Sequence, residues 1–282
     1  MKTYILRLRL SVKTNHRKHN KAKCPPSGHF ATKGQKMQKI GFLSGNMLKI
    51  IAALAMLADH VGVLIFPQYD ILRIIGRLAF PIFAFMIAEG CKYTRNIIRY
   101  FFMIFGLAFI CQAVYFFFMG SLFMCVLVTF SLSILALFAL NNFKTMLFEK
   151  DCAPAYKFLA AGLFVSCIVF IYALNQILTI DYGFWGCMLP VFAGAFHMPK
   201  NCNVKILKKL DNHYVSIAMM ALCLFPVIDS IGFIQGYSLW ALVPLTLYSG
   251  KRGKLNMKYF FYIFYPLHLV ALEIIYVLMQ MA

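Results

Sequence analysis

The chain has 282 residues, of which 62% are hydrophobic, and its mean hydropathy is +0.75. Soluble globular domains are about 45–50% apolar, and here the excess lies in long runs, so the composition excludes an ordinary soluble domain and indicates a polytopic membrane protein. The formal net charge of +19 does not indicate nucleic-acid binding, because eleven of the 28 Lys and Arg lie in residues 1–46 and most others lie in short loops between apolar runs.

The first 46 residues are basic and contain no sustained apolar stretch. The first long apolar run begins near Met47, too late for a signal peptide. We expect residues 1–46 to be a disordered cytoplasmic segment and residues 47–282 to be a transmembrane domain. A true start at Met37 is an equally open interpretation.

Nine apolar segments follow, and a helix needs about 20 residues to cross a bilayer. They cover approximately residues 47–66, 74–91, 98–119, 122–143, 156–178, 183–198, 214–229, 237–249 and 260–281. The sixth, seventh and eighth are short, which allows tilting, local thinning of the bilayer or re-entry.

Every second loop between these segments is basic, as expected of cytoplasmic loops. The basic residues are Lys92, Arg95 and Arg99; Lys144, Lys150 and Lys157; Lys200, Lys205, Lys208 and Lys209; and Lys251, Arg252, Lys254 and Lys258. The alternate loops carry Asp70 with Arg73, then no charge, then Asp181, then Asp229. The alternation predicts an all-α bundle of about nine transmembrane helices, with the N-terminus inside and the C-terminus outside.

Ionisable residues within a bilayer are costly, and they are usually paired or functional. At a rise of about 1.5 Å per residue, His60 lies roughly 20 Å from the inner end of the first segment, and Arg77 lies about 5 Å from the outer boundary. In the last segment His268 and Glu273 lie roughly 12 and 20 Å from the inner end. We therefore expect the following residues to converge in the outer half of the bundle: Asp59, His60, Arg73, Arg77, His268 and Glu273.

His60 is the first candidate for a general base, because imidazole titrates near neutral pH. Adjacent helical residues point about 100° apart, so we expect Asp59 to pair with Arg77 rather than to orient His60. The alternative is that this pair only joins two helices and that His60 bonds a backbone carbonyl. His268 is the second candidate, although it can instead satisfy the backbone kinked by Pro266.

The guanidinium groups of Arg73 and Arg77 can bind a phosphate or a carboxylate, although Arg73 can instead extend to the outer interface of the membrane. Glu89 lies near the inner face, where it can pair with Lys92 or Arg95. The nine cysteines show no CxxC spacing and no histidine at metal-ligand spacing, so we predict neither a disulfide framework nor a metal site.

Several stretches resemble the TraX family of bacterial membrane proteins over about residues 44–282. They are LKIIAALAMLADHVG, LRIIGRLAFPIFAFMIAEG with KYTRN, DYGFWGCMLP, and YFFYIFYPLHLVAL. Residues 1–43 are unlike a typical start for the family. The activity that the resemblance implies is acetylation of the N-terminal amine of conjugative pilin, in the bacterial inner membrane, with acetyl-CoA as co-substrate.

If the resemblance extends to activity, His60 deprotonates the acceptor, which is pilin or another envelope molecule. Arg77 or His268 stabilises the tetrahedral intermediate, with Asp59 completing the catalytic set. Substrate-binding roles fall to Arg73, Glu89, Lys92, Arg95, Arg99 and Glu273, with Lys92, Arg95 and Arg99 receiving the CoA phosphates. Two other classes remain open: a transporter or lipid-handling protein, and a non-catalytic assembly factor for conjugation or the envelope.

Overall fold

The computed structural model describes residues 41–120, 123–253 and 257–281, and within these ranges the chain is helical without strands. The segment predicted to be disordered lies mostly in residues 1–40, outside the described residues. The helices are α1 (Gly45–Leu64), α2 (Asp70–Gly76), α3 (Ala79–Tyr93), α4 (Ile97–Met119), α5 (Val126–Leu147), α6 (Pro154–Ile177), α7 (Gly183–Ala193), α8 (Lys205–Leu210), α9 (His213–Ile231), a 3₁₀ segment (Phe233–Ala241), α10 (Leu242–Thr246) and α11 (Lys258–Met281).

Seven helical stretches among the described residues are long and apolar enough to cross a membrane. They are α1, α2 with α3, α4, α5, α6, α9 and α11. This confirms the predicted all-α membrane bundle, and the chain is a multi-pass membrane protein. The seventh predicted segment, expected to be short, is the 19-residue helix α9. The number of transmembrane helices and their orientation stay predictions.

The sixth and eighth predicted segments form shorter elements, as their length suggested. The sixth contains the 11-residue helix α7, and the eighth contains the end of the 3₁₀ segment and α10. The sixth predicted segment nevertheless packs alongside α5 from one end of that helix to the other. The Thr129 hydroxyl donates to the Asp181 carbonyl at 2.6 Å near the start of α5, and Lys144 Nζ donates to the Gly194 carbonyl at 3.1 Å near its end.

The bundle has two chemically different ends. We call the end with Arg95, Arg99 and the lysines of α8 the basic end, and the end with Asp70, Asp181 and Asp229 the opposite end. If the basic loops are cytoplasmic, as predicted, the opposite end faces outward.

Residues 41–46 join the basic end directly. Leu43 N donates to the Leu247 carbonyl at 3.0 Å, and Ser249 N donates back to the Leu43 carbonyl at 2.8 Å. The Ser44 hydroxyl then caps α1 by accepting from Met47 N at 3.3 Å. The helix therefore begins at Gly45, and the predicted domain boundary at residue 46 falls inside the described bundle.

Packing places the core around α3, α5, α7 and α9. Phe85, Ile134, Leu189 and Leu224 from these four helices are almost fully buried. By contrast, only 6% of the apolar window of α6 is buried within the chain, so this helix lies at the periphery and exposes apolar side chains on most of its surface. In a membrane protein such a surface contacts lipid.

Candidate functional site

Asp59 of α1 lies between two arginines that come from the end of α2. Arg77 Nη2 donates to Asp59 Oδ1, and Arg73 Nε lies 3.2 Å from the same oxygen without the alignment of a hydrogen bond. The Asp59–Arg77 pairing predicted from helix geometry is confirmed. Arg77 makes two further bonds, from Nη1 to Gln235 Oε1 and from Nε to the Arg73 carbonyl, both at 3.2 Å. Its guanidinium is therefore buried and engaged at each nitrogen.

Two glycines allow α1 and α2 to approach closely enough for this pair. A β-carbon at Gly76 would collide with the side chain of Asp59, and one at Gly62 would come within 2.8 Å of Leu72 Cβ. The absence of a side chain at both positions therefore sets the distance across the hairpin.

His60 and His268 lie side by side, one on α1 and one on α11. Their ring centroids are 5.0 Å apart at 71°, an edge-to-face contact. Each Nδ1 lies 2.9 Å from the carbonyl four residues earlier in its own helix, Met56 for His60 and Phe264 for His268. A carbonyl only accepts, so Nδ1 carries the proton and Nε2 carries the lone pair of the neutral ring.

These bonds bear on the alternatives left open for the histidines. His60 does bond a backbone carbonyl, but through Nδ1 alone, which leaves Nε2 available for proton transfer. Pro266 has no backbone N–H, so it cannot donate to the carbonyl of residue 262, four residues earlier. His268 bonds a different carbonyl, that of Phe264, and therefore does not replace the donor that the proline lacks. His268 Nε2 is buried and has no hydrogen-bond partner among the described residues.

A cavity of about 330 Å³ opens beside this group near the opposite end of the bundle. Its polar lining residues include Asp59, His60, Arg73, Arg77, Tyr115, Asp181, Tyr182, Tyr265 and Glu273, and we call it the polar cavity. Five of the six residues expected to converge thus share one cavity, and the sixth, His268, packs against His60. One Glu273 carboxylate oxygen is buried without a hydrogen-bond partner in the described chain.

Three neighbours of this group of residues were not recognised from the sequence. Asp181, described there only as a loop charge, and Tyr182 line the polar cavity, and the Tyr182 ring stacks on Phe80 with centroids 3.6 Å apart. Burial raises the pKa of Asp181 to about 7, with Arg77 opposing the rise. Gln235, fully buried, holds Arg77. The left-handed φ of +61° at Tyr182 is rare outside glycine, but no sequence pattern shows it in advance.

A second cavity of about 600 Å³ lies at the basic end. Its lining includes Lys49, Glu89, Arg95, Arg99, Tyr100 and Arg252, and we call it the basic cavity. Glu89, Arg95 and Arg99, three of the residues expected to bind substrate, therefore line one cavity. Lys49 and Arg252 join them from the start of α1 and from the loop after α10, and neither was among the substrate-binding residues named from the sequence.

Lys92 is placed differently. Its ammonium pairs with Asp211 at 2.8 Å, and it does not belong to the lining of the basic cavity. Glu89 pairs with neither Lys92 nor Arg95, contrary to the sequence interpretation; its Oε1 lies 3.8 Å from His197 Nε2. This difference comes from the tertiary structure: the loop after α7 places the buried His197 against α3, next to Glu89. Nothing in the sequence indicates that these two residues are neighbours.

The family model described as TraX protein matches residues 44–276, which is most of the chain and includes every candidate residue above. The chain belongs to the TraX family. An uncharacterized protein of Rickettsia prowazekii (strain Madrid E) is 48% identical over 40 residues, a stretch that covers 14% of this chain and 16% of that protein. This chain thus aligns with only a small part of that relative. No solved structure matches the chain.

The matched range also agrees with the structure at its start. TraX similarity begins at residue 44, the Ser44 cap of α1. The family domain and the described bundle therefore share the same first helix, and the basic residues before it lie outside the family match.

Proposed function

We propose that this TraX-family protein is a membrane-embedded acyltransferase that transfers acetyl from acetyl-CoA to an amine of an envelope acceptor, with the N-terminal amine of pilin as the first candidate. The observation that supports this most directly is the state of His60. Its ring lines the polar cavity and is fixed through Nδ1, and its Nε2 carries the lone pair. A fixed neutral imidazole that lines a cavity is suited to general-base catalysis.

The reaction can be written with this residue. His60 Nε2 takes a proton from the acceptor amine as its nitrogen attacks the thioester carbonyl. The new C–N bond forms, the tetrahedral intermediate collapses, and the C–S bond breaks. The CoA thiolate leaves and takes up the proton from His60, which returns the imidazole to its neutral form.

Arg73 is the better group to stabilise the oxyanion of that intermediate. The sequence favoured Arg77 or His268, but Arg77 already donates to Asp59, Gln235 and a backbone carbonyl. Arg73 also lines the cavity, and its Nε has no hydrogen bond among the described residues. A positioned cation beside developing negative charge is the usual large contribution to such catalysis. Asp59 then acts by holding both arginines in place.

The carboxyl groups of the polar cavity suit an amine acceptor. Asp59 faces two arginines, whereas Asp181 and Glu273 have no salt bridge among the described residues. Ionised, these two groups attract the protonated acceptor, and one carboxylate takes up its extra proton, so that a neutral amine is presented to His60. At the other end, Arg95 and Arg99 give the basic cavity the charge that the phosphates of CoA require.

Transfer of radiolabelled acetyl tests the proposal. The purified protein in lipid vesicles is supplied with labelled acetyl-CoA and bacterial envelope fractions as acceptor, and labelled product is counted. We expect transfer by the wild type, strong loss in His60→Ala, and no change in Gln176→Ala, an exposed polar position on α6. Equal transfer by His60→Ala removes the proposed base, and no transfer by the wild type contradicts the acyltransferase.

The same vesicles separate the proposal from a transporter. Accumulation of solute driven by an ion gradient without acetyl-CoA supports transport, and the His60→Ala variant then reports on a substrate path rather than on acyl transfer. An intact cellular phenotype in both His60→Ala and Arg77→Ala supports an assembly factor instead.

A further inference from the structure

A third cavity, of about 120 Å³, lies between the two cavities described above. We call it the passage. It shares Met56, Phe83, Phe130 and Tyr265 with the polar cavity. It shares Lys49, Met86, Tyr100, Phe261 and Tyr262 with the basic cavity. The three cavities therefore adjoin one another between the two ends of the bundle.

One face of α1 runs along all three. Lys49 lines the basic cavity and the passage, Ala53 the passage alone, Met56 the passage and the polar cavity, and His60 the polar cavity. These positions are spaced i, i+4, i+7 and i+11, so they share a face of the helix. Lys49 lies about 16 Å below His60, at about 1.5 Å per residue.

Helix α11 forms the facing wall with the same order. Phe261 lines the basic cavity and the passage, Tyr265 the passage and the polar cavity, and Leu269 and Glu273 the polar cavity. Their four-residue spacing again keeps one face toward the path. Lys49 Nζ lies 5.9 Å from the centre of the Phe261 ring, which joins the two walls at the basic end.

We propose that this path binds acyl-CoA lengthwise, with Lys49 as a phosphate-binding residue in the basic cavity and the thioester arm passing Ala53 and Met56 to reach His60. This rests on the proposed acyltransferase function. The chemistry of the path matches that of the donor from end to end. A wide cationic chamber faces the polyanionic nucleotide, a narrow apolar passage encloses the slender arm, and a polar chamber receives the reacting carbonyl.

Lys49 is the specific addition to the site. Of the described lysines and arginines that line the basic cavity, Lys49 is the one that also lines the passage. Its ammonium therefore lies where the nucleotide of the bound donor would end and the thioester arm would begin. Ala53 is the matching narrow point on the same helix: it is 4% exposed and lines the passage alone. A larger side chain there obstructs the arm without touching either chamber.

Disulfide trapping tests the path without depending on catalysis. Ala53→Cys and Ala271→Cys variants, the second at an exposed position on α11, are incubated with CoA disulfide. The introduced thiolate attacks the disulfide, a mixed disulfide with one CoA forms as the S–S bond breaks, and the other CoA leaves as its thiolate. Peptide mapping by mass spectrometry separates this product from reaction at native cysteines such as Cys125 in the polar cavity. We expect the Ala53→Cys variant to react at least about tenfold faster than Ala271→Cys, and Lys49→Ala to reduce that rate by about tenfold by removing a charge-assisted bond.

Acetyl transfer by Ala53→Leu and the matched Ala271→Leu completes the test. Loss of transfer in Ala53→Leu alone, with trapping at position 53, supports the path. Trapping no faster at position 53 than at position 271, or full transfer by Ala53→Leu, overturns the path while leaving the proposed function intact. Trapping at position 53 without any wild-type transfer contradicts the proposed function and retains the CoA-binding path.

Discussion

The imidazoles of His60 and His268 meet edge to face, 5.0 Å between centroids, although 208 positions separate them in the sequence. Each is held by the carbonyl of the preceding turn, so neither ring needs the other for its orientation. The contact places His268 against the ring that lines the polar cavity, and it joins α11 to the helix that carries Asp59.

The two histidines should differ in what they contribute. We expect His60→Ala to lower the rate of acetyl transfer by about 10²–10⁴, the usual contribution of general acid–base catalysis. His268→Phe keeps an aromatic ring against His60 and Phe264, so it separates packing from chemistry. Near-normal transfer by His268→Phe, measured beside His268→Ala, assigns His268 a packing role only; loss in both assigns it a chemical one.

The Asp59 carboxylate should matter to stability more than either arginine alone. Asp59→Ala leaves buried Arg77 without its carboxylate, and we expect a loss of about 3–5 kcal/mol in the free energy of unfolding. Arg77→Met should cost less, because Arg73 still faces the carboxylate. Denaturant titration in detergent measures both, and exposed Asp229→Ala, at the end of α9, should stay within about 0.5 kcal/mol. An Asp59→Ala variant as stable as the Asp229 control contradicts this account.

Gly76 should tolerate no side chain. Gly76→Ala places a methyl group against the Asp59 side chain, so we expect lower thermal stability together with reduced acetyl transfer. Gly106→Ala and Gly162→Ala are matched controls in α4 and α6, where a β-carbon meets nothing within 4 Å. Both should be neutral or stabilising by roughly 0.5–1 kcal/mol, because alanine favours helix. Equal melting temperatures for all three variants would show that the close approach of Asp59 to Gly76 does not restrict this position.

Asp181 should make stability fall as pH rises. Its folded pKa of about 7 lies above the ordinary value, so the folded state holds the proton more tightly than the unfolded state does. The stabilisation is complete below about pH 4, where both states are protonated, and is lost as pH rises through about 7. Melting temperatures from pH 5 to 8 should therefore fall more steeply for the wild type than for Asp181→Asn. Parallel curves contradict this assignment.

The narrow passage predicts selectivity against acyl groups that are wider than the thioester arm. Transfer rates should fall from acetyl to benzoyl donors, since the acyl end must pass between Met56, Phe83 and Tyr265. Phe83→Ala removes a ring from this wall and should raise the benzoyl rate relative to the acetyl rate. The ratio of the two rates is the measurement, because it does not depend on how much active protein each preparation contains. An unchanged ratio shows that Phe83 does not restrict the donor.

Much of the architecture was determined by the sequence alone. The bilayer core offers no water to bond backbone N–H and C=O groups, so a long apolar run must satisfy its backbone hydrogen bonds within the segment. A helix does this, and the sequence therefore predicted helices. The rarity of charge in those runs also singled out Asp59, His60, Arg77 and His268, because an ionisable group in a membrane is costly wherever the helix packs. The Asp59–Arg77 pair followed from the geometry of two adjacent helices.

Tertiary structure decided what depended on distant segments. Asp181 and Gln235 reach the Arg77 neighbourhood from other parts of the chain, and His197 rather than Lys92 faces Glu89. Periodicity shows which face of a helix is apolar, but it does not show which neighbour that face meets. Lys49, an ordinary lysine near a helix start in the sequence, lines a path toward His60 because α11 packs against α1 along that face.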